Sequence, residues 1–351
     1  TRRSSDLRSL SDRSAKIPPT SRAAGLRNHS VSSGQTVSQN LEASPNTRFR
    51  SAAVAALKFR PNASARALAG SRSYLVGLYF NNPNPGYVSQ IQLGAMKACR
   101  DNGYHLVVEQ LSGGSEELVE QIEALHQAVR MDGVVLTPPL CDDQIVLRAL
   151  EAVGTPFVRV SPASSEEPGQ APKVFMNDWQ AAYDMTVYLQ GLGHREIAFI
   201  AGPVNHEAAS LRRAAFSAAM ADAGLEVPAH WVPMGDFSFR EGLEIGEKLI
   251  SGHRRPTAIF AANDDMALGV MAVAQRWRLS VPQALSIVGF DDSPSAQVVW
   301  RRLTTVRQPV PEMAEAAVEM LIQINAGRGQ DEARQLGFEL MVRESAGLAP
   351  R

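Results

Sequence analysis

Two polar pairs, Asn263-Asp264 and Asp291-Asp292, close the apolar runs Thr257–Asn263 and Leu285–Asp291. In open α/β sheets ligands lie beyond the carboxyl ends of the strands, so groups at these positions face a cleft. Carboxylate and amide groups there can hold vicinal hydroxyls in pairs, Arg212 offers a planar fork of donors, and Phe237 offers an apolar face for a sugar ring. Catalysis would need more. The sequence has no nucleophile beside a base partner, no His/Cys spacing suited to a metal and no glycine-rich phosphate loop. Binding without catalysis, cofactor or metal is therefore expected. A second role stays open for Asp264, Asp265 and Asp292, because an acidic residue just after a strand often caps the next helix.

The elements that must position these groups alternate along the chain. Short apolar runs at Tyr74–Phe80, His105–Glu109, Gly133–Thr137, Phe157–Val160, Lys173–Met176, Glu196–Gly202, Thr257–Asn263 and Leu285–Asp291 are separated by helical patterns. This is an α/β protein with parallel sheets. Tyr87, Ile91, Ala95 and Ala98 recur at helical spacing, with Asn102-Gly103 as the stop, and Ala181–Leu192 ends at Gly193. His194 follows at that helix end, where a ring can cap carbonyls or meet the helix dipole. The strands exceed one doubly wound sheet, and the Pro/Ser/Glu/Gly-rich stretch 161–172 falls between two sets of them. Two Rossmann-like lobes follow, with the chain crossing back near Thr305–Pro309 and a last strand, Gly337–Arg343, returning to the second lobe.

A chain of 351 residues with 44% hydrophobic and 20% charged content has the composition of a soluble globular protein. The net charge of −1 conceals an asymmetry: residues 1–53 hold nine Lys/Arg against three Asp/Glu. A basic head on a more acidic body is the pattern of a nucleic-acid binder, and equally of a basic tail. Cys99 and Cys141 both sit in apolar surroundings and suggest reduced core thiols. With no secretory or membrane-spanning run, a cytoplasmic location and no membrane partner are expected.

Just before the first strand runs Arg60-Pro-Asn-Ala-Ser-Ala-Arg-Ala-Leu-Ala-Gly70. Pro61 can start a short helix, Asn62 can cap it and Gly70 can stop it. Such a helix is too short to persist alone in water, so it would form only when held, for example by bent DNA. The segment resembles the hinge of the LacI/GalR family of bacterial transcription regulators, whose paired hinge helices enter the minor groove. The resemblance implies that Leu68 is the wedge at a base step, with Asn62 and Arg66 beside it on operator DNA. Upstream, Ser33-Gly-Gln-Thr-Val-Ser38 resembles the start of the family's recognition helix, and Gln35 and Ser38 are its implied DNA contacts. A glutamine amide there can pair with adenine. The rest of the head departs from the family. Twelve of the first 53 residues are serine and Pro18-Pro19 interrupts any helix. The interval from Val37 to Pro61 is short for the family. A degraded helix-turn-helix with a disordered composition is expected.

From Tyr74 onward the resemblance extends over the whole body. It is carried in order by Thr137–Asp143, Gly193–Ala198, Arg212 with Ala215-Phe216, Gly235-Asp-Phe237, Asn263–Gly269, Gly289–Asp292, Leu303–Gln308 and Leu340–Ser345. It implies a periplasmic-binding-protein-like fold with the ligand between the lobes, and it places Thr137, Arg159, Arg212, Phe237, Asn263 and Asp291 at that ligand. Arg159 stands where a sugar repressor of the family has an acidic pocket residue; a cation there could favour a carboxylated sugar or pair with a nearby aspartate. The expected organisation is a DNA-binding region at 1–59, a hinge at 60–73, a first lobe at 74–176 plus 307–335 and a second at 177–306 plus 336–351. The expected function is an effector-responsive repressor acting as a homodimer on double-stranded operator DNA, with a small sugar-like effector. Two alternatives are a transporter's solute-binding protein and an effector-binding body with a non-functional head.

Overall fold

Leu75–Phe80 is apolar along its whole length because it is buried on both faces, as a central parallel strand must be. In the computed structural model, which describes residues 72–82, 84–162, 171–328 and 333–350, this run forms β1. The expected head, the hinge as far as residue 71 and the DNA contacts Gln35, Ser38, Asn62, Arg66 and Leu68 lie outside the described residues, as does most of the 161–172 stretch.

In the first lobe β1 is joined by β2 (His105–Gln110), β3 (Gly133–Leu136), β4 (Phe157–Val160), β5 (Lys173–Phe175) and β10 (Ala333–Gln335), in the order β10-β5-β4-β3-β1-β2. Every pairing in this sheet is parallel, with Leu78 in register with Val108 on one side and Val135 on the other. Helix α1 (Pro85–Asp101) begins where the Asn84 side chain accepts from the Tyr87 amide and Pro85 fixes the first turn. Its apolar face carries Tyr87, Ile91, Ala95 and Ala98 into the core. Gly94 lets α9 (Val310–Asn325) lie against it: a Cβ at Gly94 would stand 2.0 Å from the Pro311 carbonyl oxygen. Helices α2 (Ser115–Ala128) and α3 (Gln144–Ala152) complete the lobe.

The second lobe is built on β6 (Ile197–Ile200), β7 (Ala258–Ala261) and β8 (Ser286–Val288), a parallel sheet whose strands are buried throughout. Helix α4 (Asp178–Gly191) packs on α5 (Glu207–Asp222), and α6 (Phe239–Ser251) packs on α7 (Asp264–Arg276). The short α8 is Pro294–Val298. Parallel bridges from Val288 to Thr304 and from Asp291 to Arg307 bring β9 (Thr305–Arg307) alongside, and β9 pairs antiparallel with β11 (Glu339–Met341).

The chain thus passes between the lobes three times, before α4, between β9 and α9, and between β10 and β11. The expectation that the first lobe resumes at 307 needs correction: Arg307 pairs with Glu339 and bonds Asp292, so β9 stays in the second lobe as a whole. His194 also differs from expectation. Its buried ring does not cap the preceding helix but bonds Thr257 Oγ1 at 2.9 Å, Ser286 Oγ at 3.1 Å and Gly347 O at 3.0 Å, tying two strands to the C-terminal segment. Cys99 and Cys141 are buried and unbridged. No helix among the described residues is long and apolar enough to cross a membrane.

Candidate effector site

The carboxyl ends of both sheets open on one cleft. After β1 come Asn82, Asn84 and Tyr87; Pro138 follows β3 and Ser161 follows β4. The second lobe contributes His206 and Arg212 at the start of α5, Phe237 before α6, Asn263 after β7 and Asp291 after β8, and Gln308 stands on the crossing between β9 and α9. Ser161, Phe237 and Asp291 hold positive φ values of 51°, 70° and 135°. Such backbone conformations are costly for residues with side chains and collect at functional sites.

Arg212 is fixed before any ligand arrives. Its Nε and Nη2 donate to Asp178 Oδ1 at 2.9 and 2.7 Å, its Nη1 donates to Ala262 O at 2.8 Å, and its plane lies 3.7 Å from the Phe290 ring centre. Burial pushes the Asp178 carboxyl above its ordinary value, and Arg212 opposes that push. Asn263 caps α7: its Oδ1 accepts from the Met266 amide at 3.0 Å while its Nδ2 donates to Phe237 O at 2.9 Å, holding the phenyl ring over the cleft.

Asp291 accepts from Gln308 Nε2 at 2.6 Å on one oxygen and from Asn84 Nδ2 at 3.3 Å on the other. Burial, reinforced by the nearby Asp264, raises its pKa well above the carboxylate range. Asp264 itself, accepting from Ser293 N at 2.7 Å and Thr305 Oγ1 at 2.6 Å, is pushed by burial to about 6. The capping role left open for the aspartates falls instead to Asn263 on α7 and Ser293 on α8. Asp292 turns from the cleft to Arg307 and Arg343, at 2.8 and 2.5 Å. Among the described residues no group of three or more His, Cys, Asp or Glu side chains could hold a metal ion.

Of the six ligand residues expected from sequence, the cleft brings together Arg212, Phe237, Asn263 and Asp291. Thr137 and Arg159 are not in its lining. The Thr137 hydroxyl is buried and donates to Tyr79 O at 3.3 Å, leaving Pro138 to reach the cleft. Arg159, 2% exposed, donates from Nε to Cys141 O and pairs through Nη2 with Asp142 Oδ1 at 2.7 Å, the pairing with a nearby aspartate that was one of its two expected roles. Sequence reasoning missed Asn84, Tyr87, His206 and Gln308. Asn84-Pro85 is a helix-start signal and marks where the first lobe meets the cleft; His206 and Gln308 carry no such mark.

A periplasmic binding protein-like domain is matched over residues 186–346. The ribose operon repressor of Escherichia coli strain K12 is 32% identical over 301 residues, spanning 84% of this chain and 89% of that protein. The chain belongs to the LacI family of transcriptional regulators. Solved LacI-family structures share its fold. The complex of the transcriptional regulator CelR with cellobiose matches with a TM-score of 0.72 at 28% identity, covering 87% of this chain and 92% of that one. The lac repressor dimer bound to operator and the anti-inducer ONPF matches with a TM-score of 0.72 at 26% identity, covering 82% and 99%.

Proposed function

We propose that this LacI-family chain is an effector-responsive repressor without enzymatic activity, binding a small sugar-like molecule in the cleft and operator DNA as a homodimer. The observation that carries the reading is the convergence of Arg212, Phe237, Asn263 and Asp291 from the second lobe on Asn84 and Tyr87 from the first. A ligand touching both lobes stabilises one relative arrangement of them. It changes DNA affinity only to the extent that it binds that arrangement better than the other. In the proposed mechanism the lobe arrangement sets the spacing of two hinge segments, 60–73, on a two-fold operator.

The test is selection of duplexes from a random-sequence library by the purified full chain, with and without a sugar panel. Recovery of a palindromic site whose occupancy changes with one sugar supports the reading. A chain that binds sugar yet selects no sequence is an effector-binding body without a working reader, the alternative to which the serine-rich composition of residues 1–53 gives weight.

A further inference from the structure

The cleft is closed as the lobes stand. Its free space is only about 30 Å³, enough for a water molecule or two, whereas ligand pockets run to roughly 300–1,000 Å³. The groups that face one another across it are correspondingly shut off from solvent. Asn84 and Tyr87 of the first lobe and His206, Phe237 and Asp291 of the second are each at most 7% exposed. A sugar-sized molecule has no room among the residues that would bind it until the lobes separate.

A side-chain bond that spans the cleft shows what has to yield. Asn84 Nδ2 donates to Asp291 Oδ2 at 3.3 Å, and Gln308, on the crossing between β9 and α9, donates to Asp291 Oδ1 at 2.6 Å. Both oxygens of Asp291 are thus occupied by the protein's own amides. We propose that Asn84 is an autoinhibitory latch: it holds Asp291 in place of a ligand hydroxyl, and the effector binds by displacing it and driving the lobes apart. The proposal rests on the effector reading above and adds the direction of movement, which is opposite to that of a site closing over its ligand. Because Gln308 shares Asp291 with Asn84, a ligand that takes this carboxyl also reaches one of the three chain crossings between the lobes.

The orientation of the latch is fixed from its other side. Asn84 Oδ1 accepts from the Tyr87 amide at 3.0 Å as the cap of α1, so Nδ2 is the end left for Asp291. Nor does the bond depend on the charge of Asp291. Burial favours the protonated carboxyl, which still offers Asn84 its carbonyl oxygen while its O–H turns to Gln308, whose amide can present either end. The closed arrangement also carries a cost. Tyr87 Oη and His206 Nδ1 are buried there without a hydrogen-bond partner among the described residues, and unpaired buried groups destabilise the arrangement that buries them. A bond that favours closure and two orphans that oppose it make a balance that a small ligand can tip.

The experiment measures affinity by calorimetry and radius of gyration by small-angle scattering, for the full chain and for Asn84→Ser, with D-ribose, D-glucose, D-galactose and cellobiose as probes. Serine keeps a capping oxygen for α1 and has no amide to give Asp291. A sugar that binds the parent is expected to enlarge its radius. Asn84→Ser is expected to start from a larger radius and to bind that sugar about three- to tenfold more tightly, since the parent's affinity is reduced by the fraction of chains held closed. A sugar that binds Asn84→Ser and not the parent supports the latch as well. Contraction or an unchanged radius when the parent binds sugar overturns the inference and leaves the effector reading standing. So does weaker or equal binding by Asn84→Ser, the result expected of a residue that merely touches the ligand or caps the helix. Binding of no probe by either protein overturns the sugar-effector reading and the inference with it.

Discussion

Asn84 in the first lobe donates from Nδ2 to Asp291 Oδ2 in the second at 3.3 Å, while its Oδ1 accepts from the Tyr87 amide at 3.0 Å. One side-chain amide therefore both starts α1 and holds the two lobes across the cleft. The two roles can be separated. Asn84→Asp keeps a capping acceptor but sets a second carboxylate against Asp291, so the lobes are expected to part. Small-angle scattering of the ligand-free chain should show a larger radius of gyration for Asn84→Asp than for the parent. An unchanged radius would mean that this bond does not hold the cleft closed. Asn84→Ala should in addition lose about 1 kcal/mol of stability with the cap.

Arg212 and Asp178 form a pair in which both side chains are almost wholly buried. Removing one partner strands the other charge, and such changes cost about 3–5 kcal/mol. Arg212→Met should therefore be strongly destabilising in urea titrations near neutral pH. Arg212→Met combined with Asp178→Leu should recover most of the loss, since the uncompensated charge is gone. If the double variant is as unstable as the single one, the arginine's bond to Ala262 O and its packing on Phe290 matter more than its charge.

The parts legible in the sequence were those fixed by local pattern. Parallel strands buried on both faces read as unbroken apolar runs, which is why β1, β3 and β7 stand out, and polar residues directly after such runs, Asn263 and Asp291, fall at the cleft. Arg159 shows where pattern stops. It lies within β4, but its direction is set by the Cys141 carbonyl and Asp142, which follow a different strand. Thr137 was one residue from the cleft, with Pro138 lining it in its place. Tyr87 and His206 read only as the first turns of two helices. That they face each other depends on three chain crossings, and no local spacing encodes those.

Gly94 reverses the usual effect of alanine in a helix. Gly→Ala at an open helical position gains up to about 1 kcal/mol. At Gly94 the new Cβ would meet the Pro311 carbonyl at 2.0 Å, and backbone cannot rotate aside as a side chain can. Gly94→Ala should push α1 from α9 and cost about 1–3 kcal/mol, as overpacking does. Gly191, at the end of α4 with nothing within 4 Å of its notional Cβ, is the control, and Gly191→Ala should be neutral or stabilising. Equal Tm values for the two variants would contradict the close approach of α1 and α9.

His206 and Asp264 pull the acid stability of the chain in opposite directions. Burial lowers His206 from 6.5 to about 3, so between these values the unfolded chain binds the extra proton and stability falls as pH falls. Burial raises Asp264 from 3.8 to about 6, so between those values the folded chain binds the extra proton and stability rises as pH falls. In the shared window, from 3.8 to about 6, the two slopes offset each other, at about 1.4 kcal/mol per pH unit for each full proton. Asp264→Asn removes one of the buried carboxyls that oppose the histidine's slope, so the chain should lose stability more steeply towards acid. His206→Leu should expose the aspartate's slope and do the reverse. Urea unfolding free energies of both variants at about pH 4, 5 and 6 test this. Parallel curves would mean that neither group changes its proton affinity on folding, and that neither His206 nor Asp264 feels its burial as a cost to its charged form.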